Sequence, residues 1–218
     1  MDNPVMYCPD IFRDNDPDSL RARIKGHPLG TLVIQHGDGL EANHIPFVLA
    51  SDEQGEQLHA HVPRANPLSQ LTGSHPALVI FHGTQGYITP SWYATKAEHG
   101  QVVPTWNYAV THVHGVLRVR DDAQWVLRQI RQLTRQQEQG RDLPWAVDDA
   151  PSDYIDRLAG ALVGLEIRIH RMEGKNKASQ NQPSANRSSL LSALKDEPLS
   201  DAFSRHMANT LSVKEGSS

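Results

Sequence analysis

The sequence of 218 residues has few of the features that fix a function class from composition alone. It contains one cysteine, Cys8, so no intramolecular disulfide can form, and a reducing cytoplasm is the expected compartment. No apolar run approaches the roughly 18 residues that span a bilayer, and the N-terminus lacks the pattern of a signal peptide. These absences predict a cytoplasmic protein with no membrane anchor.

Basic residues are not in excess either. The formal net charge is -4 and the pI is about 6.3, so composition gives no support for binding nucleic acid through its phosphates. The sequence has no GxGxxG, no Walker motif and no GxSxG elbow around Ser91, and its 12 histidines form neither HExxH nor a finger pattern. Direct DNA reading, hydrolase chemistry and a dedicated metal site are therefore disfavoured.

Aromatic residues make up only 6% of the chain, yet Tyr and Trp concentrate between Tyr87 and Gly115. Ser91 and Thr105 each place a hydroxyl directly before a Trp in this stretch. Stacking rings beside hydrogen-bonding groups suit a ligand with a planar face and polar edges. The alternative is that these rings fill the core of a β domain. The aromatic residues concerned are Tyr87, Trp92, Tyr93, Trp106 and Tyr108.

Alternating and apolar runs predict an antiparallel β barrel with helices at its periphery. Pro46 cannot donate to a strand ladder and therefore predicts an edge strand or a bulge. Helical patterns are expected near residues 19–25, 121–140 and 153–160, with a short helix after Arg64. The predicted strands are Thr31 to His36, Leu40 to Ser51, Gln57 to Val62, His75 to Gly83, Gly86 to Thr89, Tyr108 to Asp121 and Ala161 to Gly174.

The motif HAHVPRANP at residues 59–67 is a candidate phosphate site. It places an Arg and an Asn between a strand end and a helix start, where free backbone N–H groups and a guanidinium both favour phosphate oxygens. The alternative is that Arg64 forms a surface salt bridge and Asn66 only caps the helix.

The motif GKNKASQN at residues 174–181 is a second candidate. Lys175 and Lys177 can neutralise an anion, and Ser179 and Gln180 can hydrogen-bond the carbonyl and nitrogen atoms of a ring. Taken alone, the same composition is also typical of a disordered linker.

Together these segments resemble the PaiB family, the FMN-binding negative transcriptional regulators related to the flavin-binding split barrels. The resemblance covers most of the chain in one order. The segments that carry it are MYCPDIF at 6–12, ANHIP at 42–46, HVPRANP at 61–67, FHGTQGYITPSWYATK at 81–96, VPTWNYAVTHVHG at 103–115, LVGLEIRI at 162–169 and GKNKASQN at 174–181.

The resemblance implies a mainly β fold with peripheral helices, a six-stranded FMN-binding split β-barrel that forms a homodimer with FMN in a cleft between subunits. Residues 1–181 would form this domain with inserted helices, and residues 182–218 a polar linker and C-terminal helical tail. The implied function is that of an FMN-binding negative transcriptional regulator. The alternative is a flavin-dependent oxidoreductase or a haem-handling split-barrel enzyme.

The resemblance also implies site residues. Arg64 and Asn66 would hold the FMN phosphate, and the stretch from Asn43 to Pro46 would line the isoalloxazine ring. Asn176 stands where the family has an aromatic residue and Ala178 where it has leucine, which is expected to weaken cofactor contact. The full candidate set is Asn43, His44, His61, Arg64, Asn66, Ser91, Trp92, Thr105, Trp106, Asn107, Lys175, Ser179 and Gln180.

Overall fold

The structure is a computed structural model of the chain and describes residues 6–196 and 199–213. Strands dominate it, as the alternating sequence predicts. The strands are β1 (Arg13–Asp14), β2 (Leu29–His36), β3 (Gly39–Pro46), β4 (Val48–Asp52), β5 (Gly55–Pro63), β6 (His75–Ile88), β7 (Thr105–Arg120) and β8 (Leu162–Lys177).

Helices lie between and after the strands. Within the described ranges, none is long and apolar enough to cross a membrane. Asp122 caps the longest of them, since its Oδ1 accepts from the backbone N–H groups of Gln124 and Trp125 at 2.8 and 3.1 Å. The helices are α1 (Pro17–Gly26), α2 (Lys96–His99), α3 (Ala123–Glu138), α4 (Ser152–Gly160), α5 (Ser184–Asp196) and α6 (Asp201–Val213).

The strands form one open sheet in the order β3-β2-β6-β7-β8-β5-β4, with β1 added on β8. Strand β2 runs antiparallel to β3 and β6, and β5 runs antiparallel to β4 and β8. The prediction of a mainly β fold with peripheral helices is confirmed. So is the edge position of Pro46, because β3 ends the strand order and its Pro46 needs no second partner.

Two details of the predicted strands are wrong. The sheet has eight strands in the described residues, whereas the sequence pattern predicts seven and the family resemblance implies six; the long predicted strand from Leu40 divides at Phe47, and a short β1 pairs with β8. In addition, the two predicted strands around Gly83 are one continuous strand, β6. A glycine in a strand need not break it when the ladder on both sides continues.

The chain divides into two compact units. The larger unit consists of Arg21–Phe81 and His112–Met172. Its core contains fully buried side chains from several strands, among them Leu32, Leu58, Phe81 and Leu165, together with Phe47 between β3 and β4. Burial of each such side chain contributes about 1.5–3 kcal/mol, so this cluster is the main source of stability in the unit.

The smaller unit consists of the described residues of Met1–Leu20, His82–Thr111 and Glu173–Ser218. Its core packs Ile88 and Tyr93 against Leu190 of α5 and Phe203 of α6. Residues 182–218 are the predicted linker and tail, and the helices that lie there contribute buried leucines and a phenylalanine to this core. Gly86 allows Leu199, just before α6, to pack closely against β6, because a Cβ at Gly86 would lie 2.6 Å from a methyl carbon of Leu199.

Candidate functional site

Two lysines near the end of β8, Lys175 and Lys177, form no ion pair with a carboxylate of the described residues. The ammonium of Lys175 lies 5.7 Å from the ring centroid of Tyr7 and 5.4 Å from that of Tyr108, and it donates to the Tyr7 carbonyl at 3.2 Å. The ammonium of Lys177 donates to the hydroxyl of Thr105. Burial lowers the pKa of Lys177, and the charge of Lys175 acts in the same direction while Tyr108 opposes it. An anion close to these groups would relieve both effects.

Exposed aromatic rings lie on β7, which neighbours the strand of these lysines, and on β6, the strand beyond it. Trp106 directly follows Thr105 and is 54% exposed, and Tyr87 is 46% exposed. Their ring centroids are 6.2 Å apart with an interplanar angle of 69°, an edge-to-face arrangement. Large exposed rings next to unbalanced ammonium groups fit a planar ligand that carries negative charge.

Asn107 lies on the other side of β7 from Trp106 and is fully buried. Its Nδ2 donates to the hydroxyl of Ser179 at 2.8 Å, and the Tyr93 hydroxyl lies 3.4 Å from the same oxygen. Ser179 has a φ of 61°, in the left-handed region that residues other than glycine seldom adopt. The predicted residues Asn107 and Ser179 are therefore brought together, but within the core of the smaller unit.

The segment 174–181 is ordered by its own hydrogen bonds, so the alternative of a disordered linker is wrong. The Gln180 side chain accepts from the backbone N–H of Ala178 at 2.7 Å and donates to the Asn176 carbonyl at 2.5 Å. Asn176, which replaces the aromatic residue of the family, has partners on α6: its amide donates to Thr210 at 3.1 Å, and its Oδ1 lies 2.8 Å from Nε2 of His206. Helix α6 thus stabilises the altered segment.

The remaining predicted residues of the smaller unit have structural partners. The hydroxyl of Ser91 accepts from the ammonium of Lys96 at 3.0 Å. The carbonyl of Trp92 accepts from the Ser189 hydroxyl at 2.8 Å, and its ring packs against the apolar core. Trp92 therefore matches the alternative in which an aromatic residue fills the core.

Arg64 in the larger unit is engaged in a surface ion pair. Both terminal nitrogens of its guanidinium bond the carboxylate of Asp121, and its Nε donates to the Gly160 carbonyl at 2.8 Å. Hydrogen bonding from Arg64 lowers the pKa of Asp121 and correspondingly raises that of Arg64. This arrangement is the surface salt bridge of the alternative interpretation, and a phosphate would have to exchange with Asp121.

The other predicted residues of the larger unit form short polar contacts. Asn66 caps the short 3-10 helix after it through the backbone N–H of Leu68 at 2.9 Å and donates to Oδ1 of Asn43 at 3.0 Å. His44 lies 3.1 Å from the Thr31 hydroxyl, on the edge strand β3. Nδ1 of His61 lies 2.6 Å from the side-chain oxygen of Gln129 on α3.

Sequence reasoning missed the partners that complete these groups. Tyr7 is 168 residues from Lys175 in the chain, and Gln129 is 68 residues from His61. Contacts of that separation leave no local pattern, so no signal in a single sequence could have identified them.

Comparisons with known proteins agree with this geometry. A family model described as "Putative FMN-binding domain" matches residues 6–171. An uncharacterized protein of Emericella nidulans is 31% identical in an alignment that covers 88% of this chain and 91% of that protein. The protease synthase and sporulation protein PAI 2 of Bacillus subtilis is 23% identical, over 88% of this chain and 90% of its own.

Among solved structures, the FAD and heme binding protein from Mycobacterium smegmatis has a TM-score of 0.56 at 18% identity, covering 76% of this chain and 73% of its own. This likeness confirms the split-barrel fold. The unbalanced lysines and exposed rings of the smaller unit fit a planar, phosphorylated cofactor such as FMN. With a family model that covers most of its length, the chain belongs to the PaiB-like family of FMN-binding domains.

Proposed function

We propose that the protein binds FMN as a homodimer and acts as a negative regulator of gene expression. The observation that carries the flavin part is the pair of ammonium groups, Lys175 and Lys177, that have no carboxylate partner in the described residues and lie on β8, next to the strand β7 that bears the exposed Trp106. Positive charge supports binding of the phosphate, and the ring of Trp106 supports contact with the isoalloxazine.

Each residue has a distinct part in this proposal. Lys175 and Lys177 neutralise the ligand, Trp106 and Tyr87 exclude water from one ring face, and buried Asn107 fixes the backbone from which Trp106 projects. When bound, FMN would supply a ring that can accept hydride or electrons. The candidate residues of the larger unit, Arg64 and Asn66 among them, are a separate proposal that rests on the family resemblance.

The regulatory part of the proposal rests on the likeness to PaiB. It does not include direct recognition of a DNA sequence by this chain. Helix α3 carries three arginines, but Arg131 is paired with Asp148 at 2.7 Å and the chain has a formal net charge of -4. We therefore assign regulation to the flavin-loaded dimer rather than to a recognition helix. A salt-dependent shift confined to one DNA sequence, produced by the purified FMN-loaded protein, would favour the regulator and would assign the DNA contact to a surface other than a recognition helix.

An oxidoreductase is the second candidate. The observation that favours it is the open ring surface of Trp106 and Tyr87, on which a second planar molecule can stack. The two candidates separate in one experiment on FMN-loaded protein. Bleaching of the flavin band at about 450 nm by NADPH, at a rate above that of free FMN, favours the enzyme. No bleaching beyond the free-flavin rate favours the regulator.

A further inference from the structure

A cavity of about 460 Å³ lies in the larger unit where α3 crosses β4 and β5. Its volume is within the range of small-molecule sites, about 300–1,000 Å³. None of the described residues that line it is acidic. The polar, charged and aromatic residues that line it are Ser51, His59, Trp125, Arg128, Gln129 and Gln132.

Gln129 gives the first indication of a ligand. Its side chain is 2% exposed, and one end of its amide is bonded to Nδ1 of His61 at 2.6 Å. The other end, Nε2, is buried without a hydrogen-bond partner. Turning the amide over would only exchange the atom that lacks a partner. A buried polar group in this state costs about 1–3 kcal/mol, which a bound molecule in the cavity would offset.

His59 offers a complementary acceptor. Asp52 accepts from Nε2 of Gln57 at 2.5 Å, which turns Oε1 of Gln57 toward Nε2 of His59 at 2.9 Å. Nε2 of His59 therefore carries the hydrogen and donates it, so that Nδ1 keeps a lone pair with no partner among the described residues. Burial lowers the pKa of His59, so its ring is neutral at pH 7.

Arg128 and Trp125 complete the chemistry. Arg128 is exposed and forms no ion pair or hydrogen bond with any described residue, so its charge is available to a ligand. The Trp125 ring lies 4.8 Å from the ring of His59, centroid to centroid, and gives the cavity a flat apolar wall.

We propose that this cavity binds a small planar carboxylic acid that also carries an O–H or N–H donor. The carboxylate would accept from the Arg128 guanidinium and from the unpartnered Nε2 of Gln129, the donor would bond Nδ1 of His59, and the ring would pack on Trp125. This binding function goes beyond flavin binding, and none of the residues that would contact the acid belongs to the candidate flavin set.

The test uses 4-hydroxybenzoate as the probe, with the full-length protein saturated with FMN. The four tryptophan side chains give four indole N–H signals in an NMR spectrum, and Trp125→Phe identifies the one of interest. The proposal predicts that the Trp125 signal shifts on titration while the others do not. Neutral 4-hydroxybenzamide and donor-free benzoate should each bind about tenfold more weakly or worse.

Arg128→Gln is the deciding variant because the residue is exposed and its replacement leaves the fold intact. It should lower the affinity for 4-hydroxybenzoate by about tenfold. Arg135 is an exposed arginine on the same helix that does not line the cavity, so Arg135→Gln should change this affinity by less than about twofold. Gln129→Glu keeps the acceptor for His61 and removes the free donor, and it should abolish binding.

Three results would overturn the proposal. The first is no shift of the Trp125 signal at about 5 mM probe, which would mean that water alone fills the cavity. The second is an equal loss of affinity in Arg128→Gln and Arg135→Gln. The third is a shift seen without FMN and abolished by saturating FMN, which would assign the cavity to the flavin.

Discussion

Replacement of Lys177 by Met tests the flavin site most sharply, because the expected effects on binding and on stability differ. Met keeps most of the aliphatic stem and removes the ammonium. If that group contacts the phosphate, a hydrogen bond to a charged partner worth about 1.5–3 kcal/mol is lost, and the dissociation constant for FMN rises about 10- to 150-fold.

The unfolding free energy should hardly change in the same variant. Removing the ammonium ends a burial cost and a repulsion from Lys175, which raises stability. Loss of the bond to Thr105 lowers it by a similar amount, so the net change should stay within about 1 kcal/mol. FMN fluorescence titration and urea unfolding measure the two quantities, with exposed Lys25→Met as the matched control. A loss of stability above 2 kcal/mol (about twice the hydrogen-bond value) with unchanged FMN affinity would refute the reasoning.

Three further predictions concern other parts of the chain. If Arg64 binds phosphate, Arg64→Ala should lower the affinity for FMN, and Asp121→Asn should raise it because the guanidinium is released from its ion pair. Unchanged affinity in both variants, measured by fluorescence titration, would mean that Arg64 forms only the surface ion pair. Gly115→Ala should lower the unfolding free energy by about 1–3 kcal/mol, because its Cβ would overlap a backbone oxygen of β8, whereas Gly140→Ala, with open space around it, should not. Burial lowers the pKa of His59 below its usual 6.5, so the unfolded chain binds more protons than the folded one as pH falls below that value. The unfolding free energy should therefore fall as the pH falls from about 7 to about 5, by at most about 1.4 kcal/mol per pH unit for this histidine. His59→Gln should make this dependence of the unfolding free energy on pH less steep, as measured by urea unfolding. An identical pH dependence in the variant would contradict the assignment.

Local pattern predicted most of the strands because alternation of apolar residues follows directly from burial of one sheet face. Pro46 was predicted at an edge for the same kind of local reason, a missing N–H donor. The inward face of α3 could not be predicted so well. In the helix predicted at 121–140, the large apolar residues Trp125, Ile130 and Leu133 are only half-buried, whereas the buried residues are Val126, Leu127 and Gln129.

Gln129 explains that difference in physical terms. A glutamine is placed outward by any hydrophobicity rule, but here its amide bonds His61 across 68 residues of sequence and is buried. In the candidate site, too, some features could be predicted from the sequence and others could not. The concentration of Tyr and Trp was visible in the sequence, while the contacts of Lys175 with Tyr7 and Tyr108 join residues that are far apart in the chain.

Equilibrium dialysis of the purified protein against FMN, combined with its sedimentation behaviour, tests the central claim most directly. The account predicts saturation at one FMN per chain, in a species with twice the 24.2 kDa mass of the chain. A single-chain species that retains no FMN when dialysed against about 1 mM of it would contradict the account.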